Sequence, residues 1–401
     1  MNKLLKEILL GILTALFLST FIYFEDFGVT NKLINTLLGL FGFVMLLYIP
    51  KRSVLVAGFA IGLLWFYWIG YSFVYQGVGY MEPIITIAFG FIYLLFFAPL
   101  YFTKSPIIRA LLLFGLSFVA PFNWNWMQLP LPFVDSYIGV YKYQFAFMLL
   151  ALALPSVVKK PYKYLPLILL VGAINYGYPQ QYNAPLKIKL VTTHIKQEEK
   201  WTSEALYPTV RMLFKEIQKA TDEGYDVVVL PESAFPLFMN ETPTLIEQLQ
   251  KFSQKITIVT GALLHEDEKN YNVAYMFDKG SYTIAKKLVL VPFGEYIPLP
   301  KFAQKFINDT FFSGASDFVT AKQPTDFIIK GVKFRNAICY EATCQELYEG
   351  DVKYMIAMSN NAWFAPSIEP TIQRLLMRYY ARKNGVTIYH AANYKGSGII
   401  K

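Results

Sequence analysis

Two kinds of hydrophobic pattern divide the chain. Up to about Tyr178 the apolar residues come in long runs broken by short basic loops, and from Ala184 onward they come in short periodic groups. The runs 4–23, 33–49, 54–75, 83–102, 107–122, 137–158 and 164–178 predict membrane-spanning helices, about seven in all, since a span needs roughly 20 mostly apolar residues. The fifth and seventh runs fall short of that length. The first run lacks a clear small-residue cleavage site and is followed by further runs, so it reads as a retained span rather than a signal peptide.

Beyond Ala184 the pattern alternates strand and helix. "LKIKLVTTH", "DVVVLPES", "ITIVTGALL", "YMIAMSN" and "GVTIYHAAN" read as strands. Residues 203–221 place Leu206, Val210, Leu213 and Ile217 on one face of a helix, and further helices are expected at 245–252 and 371–383. "YNVAYMF" and "YTIAKKLVLV" pair as a hairpin across "DKGS", and "DFIIKGVKFRNAICYE" turns back at Gly331. Such alternation implies an α/β domain with helices flanking sheet. The Gly, Pro and polar residues of "YGYPQQYNAP" mark the boundary, giving a membrane domain at 1–180 and an extramembrane domain at 181–401.

Composition agrees with a membrane protein. The 401 residues are 55% hydrophobic and only 16% charged, against about 25% charged in soluble domains. The cations then give orientation. Lys3 and Lys6 precede the first run, Lys51 and Arg52 follow the second, Lys104 and Arg109 lie near the gap after the fourth, and Lys159, Lys160 and Lys163 follow the sixth. The intervening loops hold little besides Lys32 and Lys142. By the positive-inside rule the N-terminus is cytoplasmic, and seven spans put everything after Tyr178 outside. The net charge of +9 is thereby explained by orientation. No basic patch interleaved with aromatics points to nucleic acid.

The two cysteines, Cys339 and Cys344, both lie in "AICYEATC". A metal site would need more Cys or His at ligand spacing, and His194, His265 and His390 are far apart in sequence. A disulfide is possible outside the cytoplasm, but a strand end and a helix start make poor bridge geometry. On composition alone, a buried inert Cys339 is the default. Three other stretches change that weighting. "VVVLPES" places Glu232 just after a strand, "AKKLVLVPFGEYIPLP" places Lys287 on a strand and Glu295 in a Gly turn, and "MSNNAWF" places Asn360 and Trp363 after another strand. Polar groups at the C-terminal ends of strands are where α/β sheets carry their sites.

The Glu–Lys–Cys set, with "LVPFGEYIPL", "ICYE" and "SNNAWF" in that order, resembles the nitrilase, or carbon–nitrogen hydrolase, superfamily. With the spans in front, "LLWFYWIGYS" and "FNWNW" included, the whole chain resembles the apolipoprotein N-acyltransferase family. The resemblance implies an α-β-β-α sandwich outside the inner membrane, on the periplasmic side, with Glu232 as general base, Lys287 as oxyanion stabiliser and Cys339 as nucleophile. It implies Glu295, Tyr340 and Glu341 as supporting residues, and Trp201, Asn272, Asn360 and Trp363 near the substrate path. Its substrates would be a phospholipid acyl donor and a diacylglyceryl apolipoprotein acceptor, joined through a thioester, with no metal or organic cofactor. The chemistry suits these residue types. A thiol needs a base to become a thiolate, a carboxylate serves if burial lifts its pKa toward about 6–7, and Lys287 with the Tyr340 N–H would meet the oxyanion.

The chain departs from the family pattern at Asn361, commonly Asp, at Ala365, commonly Gly, and at Val289, where many members carry His. Members usually continue past the strand of "HAANYKGSGIIK" to a final membrane helix. Two rivals share parts of this reading: a membrane-tethered amidase or nitrilase acting on a small C–N substrate, and a non-catalytic scaffold or transporter. Transport is disfavoured because no charge interrupts the middle of the runs. The aromatic-rich segments 235–240 and 302–314 are expected to be mobile loops that touch the bilayer, unless their rings fill the core.

Overall fold

The computed structural model describes residues 2–292, 294–296 and 318–401. The segment 302–314 therefore lies outside the described residues. The chain forms two compact units, Met1–Tyr178 with Ser367–Tyr379, and Pro179–Pro366 with Tyr380–Lys401.

Among the described residues of the first unit, three helical segments are long and apolar enough to cross a membrane: Lys3–Asp26, Lys51–Tyr75 and Gly79–Phe102. Lys32–Tyr48 and Pro106–Leu116 are shorter apolar helices. Leu9, Leu13, Leu16, Ile84, Ile87, Phe91 and Leu95 are exposed along them, an apolar outer surface that suits lipid. The helices close on one another through glycine. A Cβ on Gly58 would lie 2.7 Å from the Tyr93 carbonyl, and one on Gly62 would lie 2.5 Å from that of Phe89. Small residues four apart permit this backbone approach. The two aromatic stretches meet in the interior: the Phe66 and Tyr93 rings stack at 4.9 Å, and the Trp126 ring lies 5.3 Å from Trp68 and 5.1 Å from Trp124.

Three expectations for this unit change. The run 137–158 becomes helical only from Lys142, as an α-helix to Ala153 and a 3-10 turn over Leu154–Ser156, because the Gln144 side chain accepts from the Tyr141 N–H at 3.1 Å and caps the helix there. The run 164–178 forms only two short turns, Leu165–Leu169 and Leu170–Ala173, after which Ile174 extends and bridges Ile138. Arg109, counted above as a loop cation, is buried within Pro106–Leu116. Its Nη1 donates to the Ile49 carbonyl at 2.7 Å and to those of Leu46 and Leu47 at 3.2 Å, satisfying the orphan acceptors that end the helix Lys32–Tyr48.

Among the described residues the second unit holds two five-stranded sheets. The first comprises β1 (Ile188–Leu190), β2 (Val227–Val229), β3 (Thr257–Glu266), β4 (Lys269–Asp278) and β5 (Ser281–Lys286). The first three strands are parallel, and β3–β4–β5 form an antiparallel meander. The second sheet runs β10 (Gly398–Ile400), β9 (Thr387–Asn393), β8 (Tyr354–Asn360), β7 (Val332–Ile338), β6 (Asp326–Ile329). Its central strands β7, β8 and β9 are parallel. Parallel neighbours need crossovers, and the helix Glu369–Asn384 supplies the one between β8 and β9.

Strand alternation explains the layers. Val227, Val229, Val259 and Ala274 of the first sheet share one buried cluster with Phe334, Ile338, Ile356 and Met358 of the second. The opposite face of the first sheet, with Val228, Ile258 and Tyr275, packs on Leu213, Ile217, Leu245 and Leu249 of the helices Ser203–Asp222 and Pro243–Phe252. Phe235 and Met239 are wholly buried in that second cluster, with Leu237 packed against it. These three therefore belong to the core and not to a bilayer-touching loop, and Phe238 is half-buried in an isolated bridge to Leu263.

Candidate active site

Four chain segments leaving the sheets carry the site. Glu232 follows β2 by three residues, Cys339 directly follows β7, and Asn360 ends β8, all at the C-terminal ends of parallel strands. Lys287 lies one residue past β5, not on it, although its N–H still donates to the Asn272 carbonyl at 3.0 Å.

Glu232 is 8% exposed. Its Oε1 accepts from Asn272 Nδ2 at 2.8 Å and its Oε2 from the Asn360 N–H at 2.9 Å, so both oxygens are oriented from different sheets. The turn bearing it lies against β3 so closely that a Cβ at Gly261 would sit 2.7 Å from the Glu232 Cα and 2.4 Å from the Ser233 nitrogen. Glycine is required by that approach.

Lys287 is 1% exposed. Its Nζ pairs with Glu295 Oε2 at 2.7 Å and Oε1 at 2.8 Å, and stands 3.9 Å from Glu232 Oε1. Burial alone would push its pKa down, but Glu295, Glu232 and Cys339 together raise it well above the ordinary value. Lys287 is thus held protonated, as a donor and not a base. Glu295 is fixed in turn by the Val291 N–H at 2.9 Å.

Cys339 is half-buried, begins the 3-10 turn Cys339–Thr343, and has φ +56°. That left-handed conformation is uncommon outside glycine and clusters at functional sites. Glu341 keeps the turn closed: its carboxylate accepts from the N–H groups of Ile338 at 2.7 Å, Val289 at 3.0 Å and Leu288 at 2.5 Å. Burial pushes the Glu341 pKa up to about 7, with Lys287 and those three N–H groups pulling the other way. Three donors on two oxygens match the carboxylate form. Through Glu341 the strand that delivers Lys287 is tied to the turn that delivers Cys339. Tyr340 is buried, and its carbonyl accepts from Thr343 Oγ1 at 2.6 Å and from Cys344 Sγ at 3.4 Å. Cys344 is buried and caps the start of the 3-10 helix Gln345–Tyr348.

The structure therefore gathers Glu232, Lys287, Glu295, Asn272, Asn360 and Glu341 into one hydrogen-bonded set around the Cys339 turn. Trp201 is 46% exposed one residue past the short helix Gln197–Lys200. Trp363 is half-buried on the 3-10 turn that follows Asn360. Sequence reasoning missed four residues of the assembly. Gln197 Oε1 accepts from Asn360 Nδ2 at 2.9 Å, Asn393 Nδ2 donates to Asn360 Oδ1 at 2.8 Å, and Lys200 Nζ donates to the Glu232 carbonyl at 3.1 Å. Gly261 is the fourth. A glycine inside the strand "ITIVTGALL" was a readable signal of close backbone approach, whereas nothing local marks Gln197, Lys200 or Asn393.

Paired sheets with a carboxylate, a lysine and a cysteine at their strand ends define a carbon–nitrogen hydrolase domain, and the Carbon-nitrogen hydrolase family model matches residues 188–399. The Apolipoprotein N-acyltransferase integral membrane domain matches residues 5–176. The chain is 43% identical over 398 residues to an apolipoprotein N-acyltransferase of Wolinella succinogenes, covering 98% of this chain and 96% of that one. It is 40% identical to that of Helicobacter hepaticus, covering 92% and 94%, and 35% identical to that of Campylobacter jejuni, covering 100% and 90%. A solved carbon–nitrogen hydrolase superfamily protein from Xanthomonas campestris is 14% identical, with a TM-score of 0.40 over 52% of this chain and 76% of that one. The chain belongs to the apolipoprotein N-acyltransferase family, as a multi-pass membrane acyltransferase.

Proposed function

We propose that this enzyme moves an acyl chain from a glycerophospholipid to the α-amine of the N-terminal diacylglyceryl-cysteine of an apolipoprotein, through a thioester on Cys339. The observation that supports the reading most directly is Lys287, buried and held protonated beside both Glu232 and the Cys339 turn. Glu232 takes the thiol proton, and the thiolate attacks the ester carbonyl. A C–S bond forms, and the oxyanion meets Lys287 and a turn N–H. Glu295 occupies two directions of the Lys287 ammonium, which leaves a third N–H to donate. The C–O bond then breaks, and the lysophospholipid leaves with the proton from Glu232. In the second half the neutral amine attacks the thioester, Glu232 takes its proton, a C–N bond forms, and the thiolate departs and is reprotonated.

Splitting the transfer lets two bulky lipids use one site in turn. We place this site outside the cytoplasm, on the periplasmic side of the inner membrane, supported by the alternation of Lys3, Lys6, Lys51, Arg52, Lys159, Lys160 and Lys163 with nearly uncharged loops.

The full-length enzyme incubated with phospholipid and no acceptor should gain the mass of one acyl chain on the Cys339 peptide, and hydroxylamine should remove it. Adding a diacylglyceryl peptide should discharge it as an amide. Normal transfer by Cys339→Ala, or an acyl chain on Cys344 instead, would overturn the reading. Discharge to water as fast as to the amine would favour the hydrolase alternative.

A further inference from the structure

Lys200 is 1% exposed, although lysine is among the residues least often found inside. It ends the short helix Gln197–Lys200, and its Nζ donates to the backbone carbonyl of Glu232 at 3.1 Å. An ammonium carries three donors, and among the described residues that neutral carbonyl is its one acceptor. Burial pushes its pKa down to about 8, against the pull of Glu232. A buried charge so poorly compensated is a cost to stability, so its presence calls for another reason.

The surroundings supply one. Gln197, three residues earlier on the same helix face, is bonded to the side chain of Asn360, and the Asn360 N–H is one of the two donors to the Glu232 carboxylate. The Glu232 peptide also enters a strained turn, with Ser233 at φ +44°. One short helix thus grips the base twice, at its own carbonyl and through the strand end that orients its carboxylate. Trp201 follows at once and is exposed.

We propose that Lys200 is a positioning residue for acyl transfer: its ammonium anchors the main chain of Glu232 and, with Gln197, couples the segment bearing Trp201 to the general base. The inference rests on the role proposed for Glu232 above. The ammonium also places a positive charge beside the carboxylate that accepts the thiol proton. Among the described residues the charged groups around Glu232 are Lys200, Lys287 and, across Asn272, Glu295. The charged group facing Lys200 is Glu232.

The test compares Lys200→Met, Lys200→Gln and Lys200→Arg in the full-length enzyme, reading acylation of Cys339 by phospholipid in a single turnover alongside the melting temperature. Lys200→Met should melt at or above the wild-type temperature at pH 7, because a buried charge is gone. Its acylation rate should fall about ten- to a hundredfold without a matching rise in the phospholipid concentration for half-maximal rate. The acid limb of its pH–rate profile should move to higher pH. Lys200→Arg, which keeps donor and charge, should recover most of the rate. Lys200→Gln keeps a donor without the charge, and should shift the acid limb even if Met is not tolerated. Acylation of the variants at the wild-type rate, or a loss that only follows a lowered melting temperature with the acid limb unmoved, would overturn the inference. Failure of the wild-type enzyme to acquire a label on Cys339 would instead remove the proposed function, and this inference with it.

Discussion

The carboxylate of Glu341 accepts the backbone N–H of Ile338 at 2.7 Å, so the residue two places after Cys339 holds the residue one place before it. That pinch keeps Cys339 at φ +56°, a conformation that costs a non-glycine residue about 1–3 kcal/mol. Alanine inherits the strain and glycine does not. Cys339→Gly and Cys339→Ala should both abolish acyl-enzyme formation, and Cys339→Gly should be the more stable by about 1 kcal/mol after the entropy of glycine is allowed for. Comparison of the two melting curves checks this.

Glu295 supplies the near partner of Lys287, at 2.7 Å against 3.9 Å for Glu232. In Glu295→Gln the buried ammonium keeps only the more distant carboxylates of Glu232 and Glu341, and burial then weighs more heavily against its charge. Removing one member of a buried pair costs about 3–5 kcal/mol, discounted here because Glu295 is partly solvated. Acyl-enzyme formation should fall about a hundredfold, the scale of losing an oxyanion donor. Single-turnover labelling of Cys339 measures it.

A methyl group at position 261 would meet the main chain of Glu232 and Ser233 below 3 Å. Backbone cannot swing aside as a side chain tip can. Gly261→Ala should therefore displace the base, slowing Cys339 labelling about tenfold or more while Cys339 keeps its reactivity toward a small alkylating reagent.

Lys200 has a folded pKa of about 8 against the ordinary 10.5. Between those values the unfolded chain binds more protons than the folded one, so stability rises with pH across that window. The wild-type melting temperature should climb from pH 8 to 10 relative to that of Lys200→Met, measured in the same detergent. Equal slopes for the two proteins would show that Lys200 is not the group concerned.

A reporter active only in the cytoplasm, fused after Lys401, should give no signal, and one fused between Lys159 and Lys163 should give a strong one. The opposite pair of results would reverse the proposed topology.

Many of the described strands and helices between 203 and 393 were legible because they are short and periodic; Gly331, at φ +82°, turns the hairpin where its sequence said it would. The apolar runs were less informative. A run such as 164–178 carries no periodicity to say where a helix begins, and its turns are set by contacts from elsewhere, such as the Ile138 bridge. At the site, residue type and strand-end position singled out Glu232, Lys287 and Cys339. The network behind them depends on pairs such as Asn360 with Asn393 and Gln197 with Asn360, which are contacts across strands and leave no local trace. Phe235 misled for the opposite reason: an aromatic in a polar-looking turn reads as exposed until the helices that cover it are in place.

The side chains collected around Glu232 are three carboxylates, Glu232, Glu295 and Glu341, and two amines, Lys200 and Lys287. With all five ionised, the balance is one negative charge on largely buried side chains. Such a field sorts traffic by sign. In the proposed cycle the species that must arrive for the second half is an amine that travels as a cation. The same fixed charges favour its approach to the acyl-enzyme, before the proton is given up and the amine turns nucleophile.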